Sequence, residues 1–573
     1  MLDVVIRGGT VVDGTGSPGR VADLGIRDGR IVAIGEVTEA AAQEIDATGL
    51  VVAPGFVDLH THYDAQIWWD PMATPSNVHG VTTIIGGNCG FTLAPVRPED
   101  RTYTAEMLAR VEGMPLAALS EGVPWTWESF GEFLDGLDGR VAVNAAFMVG
   151  HCALRRYVMG PESIGREATA EEIAAMVAEL HRSLEAGGLG FSTTLSRTHS
   201  DGDGEPVASR WASETEVVEL CRAVGDHEGT QLEGIVDGCL DRFEDDEIDL
   251  LVAMTAAAGR PINWNVLTVD SSVPDRVPRQ LSASTRAAEQ GGRIVALTMP
   301  VLVPMNMSFL NHCALFLMPD WKDVLGLPVP ERIAKLADPE VRAWMQERAV
   351  SEEAGVFRRL TGWGGYVIGD TFSAANEGLK GRRVSDIAEE RGIDDFSALV
   401  EVVIADDLRT VLWPSATDND DASWGLRHAV WRDERAMIGG SDAGAHLDRM
   451  CGAPYTTRFL GDMLRGRRLV TLEHAVQMLT DDPARLIGLR DRGRLAEGWI
   501  ADVVVFDPET IGSAPATLVE DLPGGTARLT AEAEGIAHVF VNGVETVRDN
   551  AATGATPGTV LRSGRDTETV ATR

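Results

Sequence analysis

Apolar and polar positions follow one rhythm at the two ends of the chain and another between them. VVIRGGTVVDG, ADLGIRDGRIVAIG and EIDATGLVVAPG, at the N-terminal end, are short apolar runs broken by glycine, the texture of strands and turns. Asp28-Gly29 between two alternating runs is a hairpin signal, because both turn positions tolerate positive φ. Residues 490–573 repeat this texture in ADVVVFD and IAHVFVNGVETV, with Asn542-Gly543 as a second tight turn. Two β-rich ends around a different middle predict one discontinuous β-sandwich domain, residues 1–54 and 490–573.

Between them, over 55–489, apolar runs alternate with helical patterns, the mark of a parallel sheet. Eight candidate strands cover 55–61, 81–87, 141–149, 188–194, 230–236, 261–267, 293–299 and 435–441. The clearest helix is ATAEEIAAMVAELHRSLEAG, 168–187, with Thr169 as its cap before acidic first-turn residues. Eight strands in an α/β alternation predict a (β/α)8, TIM-like barrel. In that fold His60, His62, Cys89, His151, Glu233, Asn265 and Asp442, all at the C-terminal ends of strands, converge at one mouth. The interval 300–434, between strands seven and eight, is far longer than an ordinary connection and carries Trp321, Trp344, Trp363, Trp413, Trp424 and Trp431. It reads as a lid, with an oligomerisation surface, and hence a homo-oligomer, as the alternative.

Composition narrows the function. At 573 residues and 44% apolar, the chain can bury a full barrel and a smaller domain. A net charge of −37 would repel nucleic acid and an anionic membrane surface, leaving a small molecule as the expected partner. Six cysteines (89, 152, 221, 239, 313, 451) without close pairing suit free thiols in a reducing compartment. With no apolar run near 18 residues and a strand-like opening in place of a signal peptide, the expected location is the cytoplasm.

The chemistry starts at PGFVDLHTHYD, 54–64, where His60 and His62 follow a short apolar run. In a strand, side chains two apart share a face about 7 Å apart, so two neutral imidazoles can hold a divalent metal together. Asp442 follows Gly439-Gly440-Ser441 at the end of the eighth candidate strand, where glycine leaves room for a ligand close to the backbone; capping the next helix is its alternative role.

These phrases, together with VTTIIGGNCGFT (81–92), MVGH (148–151), GLGFSTTLSR (188–197), GGSDAGAH (439–446) and DRGRLAEGWIADVVVFD (491–507), resemble the amidohydrolase superfamily, and within it the N-acyl-D-amino-acid deacylase branch. The resemblance implies that Cys89 is a metal ligand, its thiolate favoured by the cation. It further implies that Asp442 contacts the metal and takes a proton from the attacking water. No lysine stands in GFSTT, so the carbamylated lysine that bridges two metals in many relatives is excluded. Where the branch has one histidine on each of strands five and six, this chain has Glu233 and Asn265. The outer position, His60, His62 and Asp442 with Cys89 alongside, is intact, and one Zn2+ per chain is expected. Glu233 could still donate an oxygen ligand, while Asn265 would hydrogen-bond substrate or a neighbour. His151 would polarise a carbonyl as a second catalytic group, and His199 and His446 would serve substrate at the mouth; each is alternatively a structural hydrogen-bonder. Arg458 falls near the branch's arginine that grips a substrate carboxylate. The implied function is metal-dependent hydrolysis of a non-peptide C–N amide bond, that of an N-acyl-D-amino acid. The alternatives are a cyclic amide or imide hydrolase, or a metal-deficient barrel with a binding or non-hydrolytic role.

Overall fold

Eight parallel strands, the third in two consecutive stretches, Asn144–Phe147 and Val149–Gly150, run through the middle of the chain in the computed structural model, which describes residues 1–572. Phe56–Asp58 pairs with Val81–Gly86, and that strand with Asn144–Phe147. A second sheet starts two residues on at Val149–Gly150 and continues through Gly190–Thr194, Gln231–Ile235, Ile262–Trp264, Ile294–Thr298 and Ala436–Ile438, each parallel to the next. A parallel bridge joins Thr61, after the first strand, to Ala443, after the last. Seven of the eight predicted segments contain their strands whole, and 141–149 contains both stretches of its strand except Gly150. Every residue of Val81–Gly86, Gly190–Thr194, Gln231–Ile235 and Ile294–Thr298 is buried, as in a parallel sheet covered on both faces.

Helices intervene between these strands, among them Ala170–Glu185, Glu214–Gly225, Asp245–Ala258 and Arg276–Glu289. The first starts where the sequence placed it. Thr169 Oγ1 accepts the Glu172 N–H and the Glu172 carboxylate accepts the Thr169 N–H, a reciprocal cap that satisfies two otherwise unpaired donors.

The two ends of the chain share one nine-stranded sheet. Val51–Pro54 lies antiparallel to Val503–Phe506, with Ala53 opposite Val504, so residues from the two ends become neighbours. Both predicted hairpins form, with φ of 51° and 72° at Asp28 and Gly29 and 50° and 78° at Asn542 and Gly543. Two successive positive φ angles are what a two-residue hairpin turn requires. Val4, Ile6, Leu24, Val52, Val503, Val505 and Phe540 form a core on this sheet.

The segment 300–434 has a hydrophobic core of its own, in which Phe309, Trp321, Trp363, Tyr366 and Phe396 pack together. The Trp321 and Trp363 rings stack at 5.9 Å. Trp424 and Trp431 instead join the core around the parallel strands. No helix among the described residues is long and apolar enough to cross a membrane.

Candidate active site

Three chain segments deliver one cluster. His60 and His62 follow Phe56–Asp58, Cys89 follows Val81–Gly86, and Asp442 follows Ala436–Ile438. His60 Nε2 lies 3.4 Å from Cys89 Sγ and 3.3 Å from Asp442 Oδ1, and His62 Nε2 lies 3.9 Å from the same carboxylate oxygen. The donor atoms of His60, His62 and Cys89 all fall within 4.8 Å of one another.

The backbone that presents them is unusual. Gly87, Cys89 and Gly90 all have left-handed φ, at 72°, 55° and 76°, and Asp442 has φ 52°. A Cβ at Gly87 would stand 2.3 Å from the Met148 carbonyl oxygen, so only glycine fits there and the turn can bring Cys89 over the strand ends. Non-glycine residues held at positive φ concentrate at functional sites, where the surroundings offset the strain. Below the cluster, buried Asp58 accepts the Ser441 hydroxyl and ties the Asp442 turn to the His60 strand.

Carboxyls and one carboxamide surround the donors. Glu233, fully buried, accepts the Cys89 N–H through Oε2 at 2.8 Å, while its Oε1 faces His60 Nδ1 at 4.0 Å. Glu112, also buried, places Oε1 3.5 Å from His62 Nδ1. Asn265 Nδ2 donates to Asp442 Oδ1.

This donor set fits a divalent cation. Burial drives the His60 imidazole down to about 3, keeping it neutral with one nitrogen lone pair free, and pushes the Asp442 carboxyl up to about 7 and Glu233 to about 8. The Cys89 thiol is raised by burial and by the neighbouring carboxylates. A cation within reach reverses the shifts of the thiol and the carboxyls, because its charge favours thiolate and carboxylate, and it reinforces the neutral state of the imidazole. Two imidazoles, a thiolate and a carboxylate are a zinc-type set.

Above the cluster opens a cavity of about 310 Å³, in the range of small-molecule sites. His62, Cys89, Glu112, Asn265 and Asp442 reach it, with His199 and His446. His199 Nδ1 is held by Thr194 Oγ1 at 2.8 Å, and His446 Nδ1 accepts from Arg449 at 3.2 Å. Met305, Met307, His312, Phe357, Arg359 and Leu360, from the 300–434 segment, form part of the wall. No tryptophan lines it among the described residues.

Three expected site residues are placed elsewhere. His151, expected to polarise a carbonyl, is fully buried outside the cavity, and both its nitrogens are engaged, Nδ1 with Thr193 Oγ1 and Nε2 with Glu216, each at 2.8 Å. Arg458 turns away from the cavity and donates Nε–H to Ser513 Oγ at 3.0 Å; the arginines that do line it are Arg110, Arg359 and Arg449. Glu233 lies behind His60, on the side of Nδ1, outside the cluster of converging donors. Glu112 is the site residue that sequence reasoning missed. It stands in RVEGMP, just after the helix Arg101–Val111, with no local pattern to mark it.

The sequence profile of the amidohydrolase family matches residues 43–548, and the chain belongs to that family. It is 32% identical to a D-aminoacylase of Alcaligenes xylosoxydans xylosoxydans over 98% of this chain and 97% of that one. An N-acyl-D-glutamate deacylase of the same organism is 30% identical, over 98% and 96%. Among solved structures, the N-acyl-D-glutamate deacylase of Bordetella bronchiseptica, complexed with zinc and a phosphonate mimic of the tetrahedral intermediate, superposes with a TM-score of 0.64 at 26% identity, covering 98% of this chain and all of that one. The protein is an amidohydrolase of the D-aminoacylase-like branch, an enzyme acting on a C–N amide bond other than a peptide bond.

Proposed function

We propose that this enzyme deacylates N-acyl-D-amino acids, with one zinc ion held by His60, His62 and Cys89 beside Asp442. The observation that carries the reading is the convergence of those four side chains, from three separate strand ends, at the floor of a small-molecule cavity. Bound there, the cation supplies Lewis acidity towards the substrate carbonyl and the attacking water.

Asp442, oriented by the Asn265 N–H, takes a proton from that water as its oxygen bonds to the carbonyl carbon. It then returns the proton to the departing nitrogen as the C–N bond breaks, giving a carboxylic acid and a D-amino acid. His199 and His446, each fixed through Nδ1, direct Nε2 to the substrate's polar groups. Asn265, which also lines the cavity, limits where the substrate sits beside Asp442.

In this reading the eight parallel strands close as a (β/α)8 barrel over residues 55–489. The Thr61–Ala443 bridge and the run from Asn144–Phe147 into Val149–Gly150, which leads from one sheet into the other, support closure. The segment 300–434 is its lid, in keeping with the wall it contributes to the cavity. Residues 1–54 and 490–573 form a separate β-sandwich domain, supported by their shared sheet. Six unpaired cysteines favour the cytoplasm, and the charge of −37 disfavours nucleic acid or an anionic membrane as partner.

The test is hydrolysis by the zinc-loaded protein of N-acetyl-D-amino acids, their L-isomers and cyclic imides, beside an Asp442→Asn variant. The expected result is cleavage of the D-isomers and a loss of about 10²–10⁴-fold in the variant with its unfolding curve unchanged. Activity confined to cyclic imides would overturn the acyl-amino-acid assignment.

A further inference from the structure

Each histidine of the cluster offers Nε2 to the shared centre and turns Nδ1 onto a buried carboxylate. His62 Nδ1 faces Glu112 Oε1 at 3.5 Å and His60 Nδ1 faces Glu233 Oε1 at 4.0 Å. The two carboxylates come from unrelated places, Glu233 from the strand Gln231–Ile235 and Glu112 from the end of the helix Arg101–Val111. Among the described residues neither has an arginine or lysine within ion-pair distance, although the Arg449 charge offsets part of the burial of Glu112; the nitrogens that face them are imidazole nitrogens, with His446 Nε2 at 3.9 Å from Glu112 as the third.

An acidic side chain buried without a guanidinium is costly, and it persists where another group needs it. His60 Nδ1 and Glu233 Oε1 both lack a hydrogen-bond partner in the protein, yet they face each other within a small side-chain adjustment of one. A neutral imidazole carries one N–H and one lone pair. With the proton on Nδ1, directed at the carboxylate, the lone pair sits on Nε2, where Cys89 and Asp442 converge. Glu233 has a second task, because its other oxygen accepts the N–H of Cys89 in the left-handed turn.

We propose that Glu112 and Glu233 are positioning residues that fix the Nδ1–H tautomers of His62 and His60, so that both Nε2 lone pairs are presented to one divalent cation. The inference rests on the metal site described under the proposed function. It gives Glu233 a place in this chain other than that of a ligand, and it gives Glu112 a role that no sequence motif announces.

The experiment measures Zn2+ affinity by competition with chelators of graded strength, and the visible spectrum of the Co2+-substituted protein, for wild type, Glu112→Gln and Glu233→Gln. Each variant is expected to bind Zn2+ about 10–100-fold more weakly, the usual cost of losing the group behind a ligating histidine, with shifted Co2+ bands. A merely structural role is separated by a double-mutant cycle. In a His62→Asn background Glu112→Gln should change affinity less than twofold, whereas Glu233→Gln should still weaken it. Equal losses from Glu112→Gln in both backgrounds, or wild-type affinity in Glu112→Gln, would overturn the proposal. Should Glu112→Gln not fold, the cycle is run with Glu112→Asp, which keeps the charge but withdraws it by one methylene, and the same comparison decides. If wild type binds no Zn2+, or if His62→Asn binds it as well as wild type does, the metal-site reading itself fails. If His62→Asn weakens binding and Glu112→Gln does not, only the positioning role fails.

Discussion

Asn265 donates its carboxamide N–H to Asp442 Oδ1 at 3.0 Å, the same oxygen that lies 3.3 Å from His60 Nε2. A residue on the sixth parallel strand's loop thereby sets the carboxylate that follows the eighth. Replacing it with leucine keeps most of the volume and deletes the donor. A hydrogen bond to a charged acceptor contributes about 1.5–3 kcal/mol, so kcat of Asn265→Leu should fall roughly 10–100-fold with KM little changed. Wild-type kcat in that variant would mean Asp442 needs no such support.

Cys89 is expected to be the sulfur ligand of a single zinc ion. Elemental analysis of protein purified without chelator should give about one zinc per chain, and Cys89→Ala should lose most of it on dialysis. Two equivalents in wild type, one of them lost on Glu233→Ala, would instead make Glu233 a ligand.

His151 and Arg458 should prove structural. Burial alone would raise the Glu216 carboxyl, but its hydrogen bond to His151 and the charges of His151 and Arg155 bring it below its usual value. His151→Ala removes one member of this fully buried group, and about 3–5 kcal/mol of stability should go with it while kcat of the folded fraction stays the same. Arg458→Ala should leave KM for carboxylate-bearing substrates unchanged, since its guanidinium is spent on Ser513 and Ala514. A KM increase confined to charged substrates would return Arg458 to the binding site.

His79 gives the enzyme an acid-sensitive element away from the cluster. Its Nδ1 pairs with Thr457 Oγ1 at 2.7 Å and its Nε2 with the Ala531 carbonyl at 3.0 Å, and burial holds its pKa down to about 4. The unfolded chain takes up this proton near pH 6.5, the folded one only near 4, so the contribution is complete above 6.5 and declines as pH falls between those values. Urea unfolding should show about 2 kcal/mol less dependence on pH between 7 and 5 in His79→Gln than in wild type. Parallel pH profiles would show that folding leaves the proton affinity of His79 unchanged.

The strands were legible because a parallel sheet buried on both faces writes short continuous apolar runs, and the polar residue that ends such a run, His60 or Asp442, stands out against it. Cys89 was legible only through the family resemblance of GGNCG, and the left-handed turn at Gly87, Cys89 and Gly90 is what the structure adds. Arg458 was misplaced for the opposite reason. It lies within the helix Tyr455–Arg465, and its sequence does not say which side of that helix meets the cavity and which meets Ser513. Glu112 could not be read at all, since its meaning comes from His62, fifty residues earlier, and from a helix whose direction is set by packing. His151 had the right sequence neighbours, but Glu216 and Thr193, which occupy its nitrogens, are far away in the chain.

The pairing of Val51–Pro54 with Val503–Phe506 has a consequence for biosynthesis. The first of these strands waits for the second while every residue between them is synthesised, which at about 5–20 residues per second is a matter of tens of seconds. Throughout that interval an apolar strand edge stands open to other nascent copies. The surplus of acidic side chains, −37 over the 573 residues, makes such copies repel one another while the edge is uncovered.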